Sequence, residues 1–136
     1  MAADRTVDPV GTRRCPCGTG EVIDNCCGPV LAGTMAAPTA ERLMRSRFTA
    51  FAIGNADYLR VSWHPRTRPE HIDLDPEQRW LFLEILETAA GGLLDTDGVV
   101  EFRAHYRDPA GRGELHERSR FARLDGRWVY LDGALR

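Results

Sequence analysis

Four cysteines lie close together in the first part of this 136-residue chain, and their spacing is typical of a metal site. Cys15 and Cys17 form a C-x-C pair, and after eight residues Cys26 and Cys27 follow as an adjacent pair. Four thiolates at this spacing can converge tetrahedrally on one zinc ion if the chain between the pairs turns tightly, and Gly18-Thr19-Gly20 supplies that turn. Because four ligands leave no open coordination position, we expect a structural zinc ion.

Disulfides are a weaker explanation of the same cysteines. A C-x-C pair and an adjacent pair each form a disulfide only with strain, so an oxidised form would have to cross-link the two pairs. The N-terminus lacks the apolar region of a secretory signal and no run of about 18 apolar residues follows, which predicts a cytoplasmic protein with reduced thiols. One alternative stays open: thiolates beside Arg13 and Arg14 would suit a sensor of oxidation or of zinc status.

The elements that position the cysteines follow from local patterns. Residues 1–12 predict a flexible lead-in, residues 13–33 contain the cysteine motif, and a short linker leads to Thr39, which can cap a helix. A helix is predicted from residue 40 to about 53, ended by Gly54. Its apolar residues recur at spacings of three to five and predict one buried face formed by Leu43, Met44, Phe48, Phe51 and Ala52, with Arg42, Arg45 and Arg47 mostly off it.

The second half of the chain predicts strands. After a short helix over residues 56–63 and a loop over residues 64–78, the run from Trp80 to Glu87 is compatible with a helix or a strand, and we favour a strand. Residues 99–107, 114–124 and 127–132 predict three antiparallel strands joined by residues 108–113 and by an Asp125-Gly126 hairpin turn. Helices followed by a strand meander indicate an α+β fold over residues 39–136.

The chain contains Cys-Pro-Cys-Gly-Thr-Gly at residues 15–20 and Cys-Cys at residues 26–27, so eight residues separate the second and third cysteines. This pattern resembles the SEC-C motif, a zinc-binding module also found at the C-terminus of the preprotein translocase ATPase. The last ligand of that motif is often His in place of Cys27. Further segments resemble the YchJ-like family of bacterial proteins, in which a SEC-C motif precedes an NTF2-like domain: residues 43–51, 58–59, 63–65, 100–102, 115–121 and 126–130. The resemblance implies a cone of helices packed on a curved antiparallel sheet, a pocket between them, and no established biochemical activity.

Four residues outside the cysteine motif are candidates for that pocket. Alternation along the strand from Leu115 places Glu117 on the inward face, where it would act as an acid or base or form a buried ion pair with an arginine of the first helix, Arg45 or Arg47. His64 follows the second helix and is either a second acid or base or a helix-end residue. Arg45 or Arg118 would bind an anion.

These observations favour a non-enzymatic zinc protein that docks a macromolecular partner, such as a component of the ribosome or of the translocation machinery, through the SEC-C motif. The alternative is a small-molecule binder or an isomerase- or dehydratase-like enzyme that uses the pocket. A net charge of −2 does not indicate nucleic acid as a direct ligand, and a homodimer stays open because NTF2-like sheets often pair. All 18 basic residues are arginine, which excludes Schiff-base chemistry, and no phosphate-binding loop or nucleophile motif is present.

Overall fold

The computed structural model describes residues 10–136, and most of the predicted lead-in, residues 1–9, lies outside them. Single 3-10 turns at Val10–Thr12 and Ile23–Asn25 flank the first cysteine pair. The helices that follow are α1 (Cys27–Leu31), α2 (Ala40–Ile53) and α3 (Ala56–Val61). The strands are β1 (Arg79–Ala90), β2 (Asp97–Asp108), β3 (Gly111–Leu124) and β4 (Arg127–Leu135).

Helix α2 begins and ends where the sequence predicts. The Oγ1 atom of Thr39 accepts a hydrogen bond from the backbone N–H of Arg42 at 3.1 Å, and Gly54 ends the helix in the left-handed conformation with φ of 80°. Leu43, Met44 and Phe48 are buried against the sheet. Phe51 and Ala52, the other two residues of the predicted apolar face, are half-buried. The helix is buried on more than this one face, because Ser46, Thr49 and Ala50 are also fully buried.

Arg47 corrects the prediction that the arginines of this helix lie mostly off the buried face, because its side chain is only 3% exposed. Its Nη1 atom donates to the carbonyl oxygen of Leu59 at 2.9 Å and to the Oγ of Ser62 at 2.7 Å. Its guanidinium lies over the rings of Trp63 and Tyr130, 4.9 and 4.6 Å from their centres. These contacts replace water around the cation and allow its burial.

The four strands form one antiparallel sheet in the order β1-β2-β3-β4. The ambiguous run at Trp80 is a strand, as favoured, and it joins the meander as its first member. Asp125 and Gly126 both have positive φ, 53° and 81°, as a two-residue hairpin turn requires. The turn between β2 and β3 is tighter than predicted: Asp108 pairs directly with Gly111, so two residues replace the expected six.

The two faces of the sheet differ in chemistry. The inner face packs against the helices through side chains such as Val100, Phe102 and Phe121. The outer face carries polar contacts between strands. The ion pairs are Arg103–Glu114, Glu101–Arg118 and Arg118–Glu87, and the His–Glu hydrogen bonds are Glu84–His105 and Glu101–His116. A helix able to cross a membrane is absent from residues 10–136.

The end of the β1-β2 hairpin packs so closely on helix α2 that Gly98 has no room for a side chain. A Cβ atom there would lie 2.6 Å from the Cα of Gly91 and 2.9 Å from the Cβ of Ala40. We expect Gly98→Ala to lower the free energy of unfolding by about 1–3 kcal/mol in urea denaturation, because backbone must move to admit the methyl group. Gly92→Ala is the matched control, since its nearest contact is the Asp95 carboxylate at 3.4 Å. Equal losses in the two variants would contradict this packing.

Candidate metal centre and cavity

The four cysteines converge on one point. Their sulfur atoms all lie within 4.8 Å of one another, and the Sγ atoms of Cys17 and Cys26 are 3.5 Å apart. All four side chains are buried, with exposures from 0 to 4%, and none forms a disulfide. Two cysteines come from the loop before the turn at residues 18–20, and two come from the N-terminus of α1. Glycines with positive φ at 18 and 20 allow the chain to reverse between the pairs.

This arrangement fits a tetrahedral metal ion. Four thiolates that each bind zinc at about 2.3 Å would place their sulfur atoms about 3.8 Å apart. This value lies between the 3.5 Å that separates the sulfur atoms of Cys17 and Cys26 and the 4.8 Å limit for all four. Shared hydrogen bonds with Cys17 and Cys27 hold the pKa of Cys15 well below its usual range, and hydrogen bonds with Cys15 and Cys17 raise the pKa of Cys27 well above it. A divalent cation at the centre would stabilise all four thiolates together.

Helix α2 supports the cysteine motif through three side chains. Thr49 places its Oγ1 3.4 Å from the sulfur of Cys15. Arg42 donates to the carbonyl oxygen of Cys26 at 3.1 Å, and Arg45 donates to the carbonyl oxygen of Cys17 at 2.6 Å. The motif is therefore attached along α2, while its turn at residues 18–21 is exposed.

A cavity of about 230 Å³ lies between α2 and the inner face of the sheet. Its wall is mostly aromatic and aliphatic, and its polar groups are few. The lining residues are Met44, Arg47, Phe48, Phe51, Trp63, Trp80, Phe102, Ala104, Leu115, Glu117, Ser119 and Tyr130. This composition, an apolar wall with few polar groups, is typical of a small-molecule site.

Glu117 lies in this cavity, on the inward face predicted from the alternation of its strand. Its Oε2 atom accepts hydrogen bonds from the hydroxyls of Ser119 at 2.6 Å and Tyr130 at 3.1 Å. Among residues 10–136, neither Arg45 nor Arg47 forms the buried ion pair with Glu117 that the sequence left open. The pKa of Tyr130 lies well above its usual range, mainly because the hydroxyl is buried and further because the carboxylate of Glu117 is close to it.

The other three pocket candidates lie elsewhere. His64 forms the turn after α3: its backbone N–H donates to the carbonyl oxygen of Tyr130 at 2.7 Å, and its Nδ1 accepts from the backbone N–H of Arg66 at 3.0 Å. Arg45 contacts the cysteine motif. Arg118 is on the outer face of the sheet, where Glu87 and Glu101 are its partners and raise its pKa. Neither His64, Arg45 nor Arg118 lines the cavity.

The sequence did not predict that Arg47, Trp63 and Tyr130 line this cavity. Burial lowers the pKa of Arg47 to about 10, so its guanidinium stays protonated at neutral pH. The spacing of Arg47 four residues after Leu43 and four before Phe51 was a signal of an inward position. Its charge argued against that position.

The fold and the site define a class of protein: an NTF2-like α+β domain preceded by a four-cysteine SEC-C motif. The family model described as "YchJ, middle NTF2-like domain" matches residues 39–133, and the chain belongs to this YchJ-like family. The resemblance seen in the sequence is thereby confirmed.

Relatives and solved structures agree with this assignment. The chain is 59% identical to the UPF0225 protein SCO1677 of Streptomyces coelicolor, over 90% of this chain and 95% of that protein. A SEC-C motif containing protein from Rhodopseudomonas palustris, RPA3114, has a TM-score of 0.78 at 37% identity and covers 89% of this chain and 97% of its own. A SEC-C motif containing protein from Psychrobacter arcticus has a TM-score of 0.76 at 26% identity, with 93% and 85% covered.

Proposed function

We propose that Cys15, Cys17, Cys26 and Cys27 bind one structural zinc ion in a reducing, cytoplasmic environment. The convergence of four buried sulfur atoms supports this assignment. Four thiolate ligands would fill a tetrahedral shell, so the ion would have no position for a substrate or for an activated water molecule. Its role would be to fold residues 13–31 and hold them on α2.

We propose further that the folded motif makes this protein a non-enzymatic adaptor that docks a component of the ribosome or of the translocation machinery. The observation that carries this proposal is the asymmetry of the motif. One side is tied to α2 by Arg42 and Arg45, whereas the turn from Gly18 to Glu21 is exposed. A metal-stiffened turn presents a defined surface at little entropic cost on binding.

A charge reversal on this turn tests the adaptor function. We expect Glu21→Arg to abolish capture of the partner from cell lysate by the tagged protein, with the captured proteins identified by mass spectrometry. Glu77→Arg makes the same charge change in an exposed loop before β1 and should retain the partner. Zinc content, measured by elemental analysis, should be equal in both variants. The same captured proteins with wild type and both variants would remove the adaptor function.

A second candidate function is the binding of a small molecule in the cavity. The specific observation in its favour is the pair of charged residues, Arg47 and Glu117, in a mostly apolar cavity of about 230 Å³. Buried charged groups cost stability unless they are well partnered, so their presence in a cavity is a reason to assign them a role. The adaptor and ligand functions are compatible, since the cysteine motif and the cavity contact different residues of α2.

A further inference from the structure

The cavity contains hydrogen-bond donors that none of the described residues satisfies. Arg47 has five N–H groups, and both of its hydrogen bonds are made through Nη1. Within residues 10–136, its Nε and Nη2 atoms have no hydrogen-bond partner, and the side chain lines the cavity. The fully buried donor without a partner among the lining residues is the indole Nε1 of Trp63. A ligand with an acceptor atom would supply the partner that these donors lack and would gain from binding here.

An open acceptor lies in the same cavity. The hydrogen bonds from Ser119 and Tyr130 both go to the Oε2 atom of Glu117, and Oε1 has no partner in the described part of the chain. Arg47 and Glu117 are hydrogen-bonded to different groups and not to each other. The cavity therefore offers a donor from one side chain and an acceptor from another.

The rest of the wall selects an apolar, flat molecule. Phe48 and Phe51 from α2 contact Trp80 from β1, with ring centres 6.0 and 5.9 Å apart, and Phe102 and Leu115 line the sheet side. At about 30 Å³ for each water-sized group, the volume of about 230 Å³ holds roughly eight such groups. This size matches a single substituted ring.

We propose that the cavity binds a small, uncharged, planar molecule with an amide group, a primary carboxamide or a lactam, whose oxygen accepts from Arg47 and whose N–H donates to Glu117. This inference rests on the ligand-binding function proposed above and names its ligand class. A carboxylate ligand would be repelled by the carboxylate of Glu117, and a cationic ligand would be repelled by the guanidinium of Arg47. An amide satisfies both side chains and adds no charge to the cavity.

Three probes of nearly equal shape test the ligand class: benzamide, benzoate and benzamidine. Each is titrated into the zinc-loaded full chain while backbone amide resonances of cavity residues such as Ala104 and Ser119 are followed by NMR. We expect benzamide to bind at least tenfold more tightly than either charged probe. Benzoate or benzamidine binding as tightly as benzamide would overturn the ligand class while leaving a pocket. If none of the three shifts these resonances, the ligand-binding function itself fails.

A variant separates the role of Glu117 from general pocket effects. Glu117→Gln keeps the shape and removes the charge, so we expect benzoate to gain about tenfold in affinity relative to benzamide. Glu114→Gln makes the same change on the outer face of the same strand and should leave all three affinities unchanged. An unchanged benzoate-to-benzamide ratio in Glu117→Gln would overturn the proposed contact. The wild-type probe series decides the ligand class even if this variant does not fold.

Discussion

Removing the metal from this protein lowers its Tm by roughly 10 °C or more and unfolds residues 13–31, according to the proposed zinc site. The reason lies in what these residues bury. The small cluster around the site consists of the four cysteines and Ile23, with Leu31 packed against it. Without a cation, this cluster is too small to fold the segment. A metal ion present at a free concentration of about a thousand times its Kd stabilises the folded chain by about 4 kcal/mol.

The measurement combines chelation, calorimetry and hydrogen exchange. Elemental analysis should give one zinc per chain before chelation and none afterwards. Amide protection should then fall in residues 13–31 and persist in β2 and β3, whose core residues Val100 and Phe121 belong to a separate cluster. Zinc, and not magnesium, should restore the Tm. A chain that loses its zinc with an unchanged Tm, or an isolated chain that never contains metal, would refute the structural role.

The parts of the fold that could be predicted from the sequence are those with local causes. The Thr39 cap, the Gly54 helix end and the Asp125-Gly126 turn each depend on interactions within a few residues. The convergence of the cysteines is nearly as local, since thirteen residues contain all four. The β2-β3 turn was predicted too long because residues 108–113, rich in proline and glycine, resemble a loop. Strand pairing continues through Gly113 and Gly111 and overrides that composition.

The cavity was harder to predict because its polar residues meet across long sequence separations. Arg47 is buried by acceptors 12 and 15 residues away and by the ring of Tyr130, far along the chain. Arg45, two residues earlier on the same helix, points instead to Cys17. A charge pattern along one helix cannot distinguish these two environments. Glu117 was predictable because strand alternation places a side chain relative to its neighbours whatever packs above them.

Replacing Phe48 by alanine should have the largest effect of any single substitution in the cavity wall. Its ring is 2% exposed and packs edge-on against Trp80, so we expect Phe48→Ala to lower the free energy of unfolding by about 3–5 kcal/mol. Phe51 makes a similar contact with Trp80, 5.9 Å between ring centres, but it is only half-buried. We expect Phe51→Ala to cost roughly half as much, because less apolar area is lost from the core.

Urea denaturation of both variants checks this ordering, with the dependence on urea concentration unchanged if the folded states stay intact. The comparison is informative because the two residues share a helix, a residue type and an aromatic neighbour. They differ in burial, because Phe48 is 2% exposed whereas Phe51 is only half-buried. Equal costs, or a larger cost for Phe51→Ala, would mean that α2 is rotated from the orientation that places Arg47 in the cavity, and the donor proposed for the ligand would then lie elsewhere.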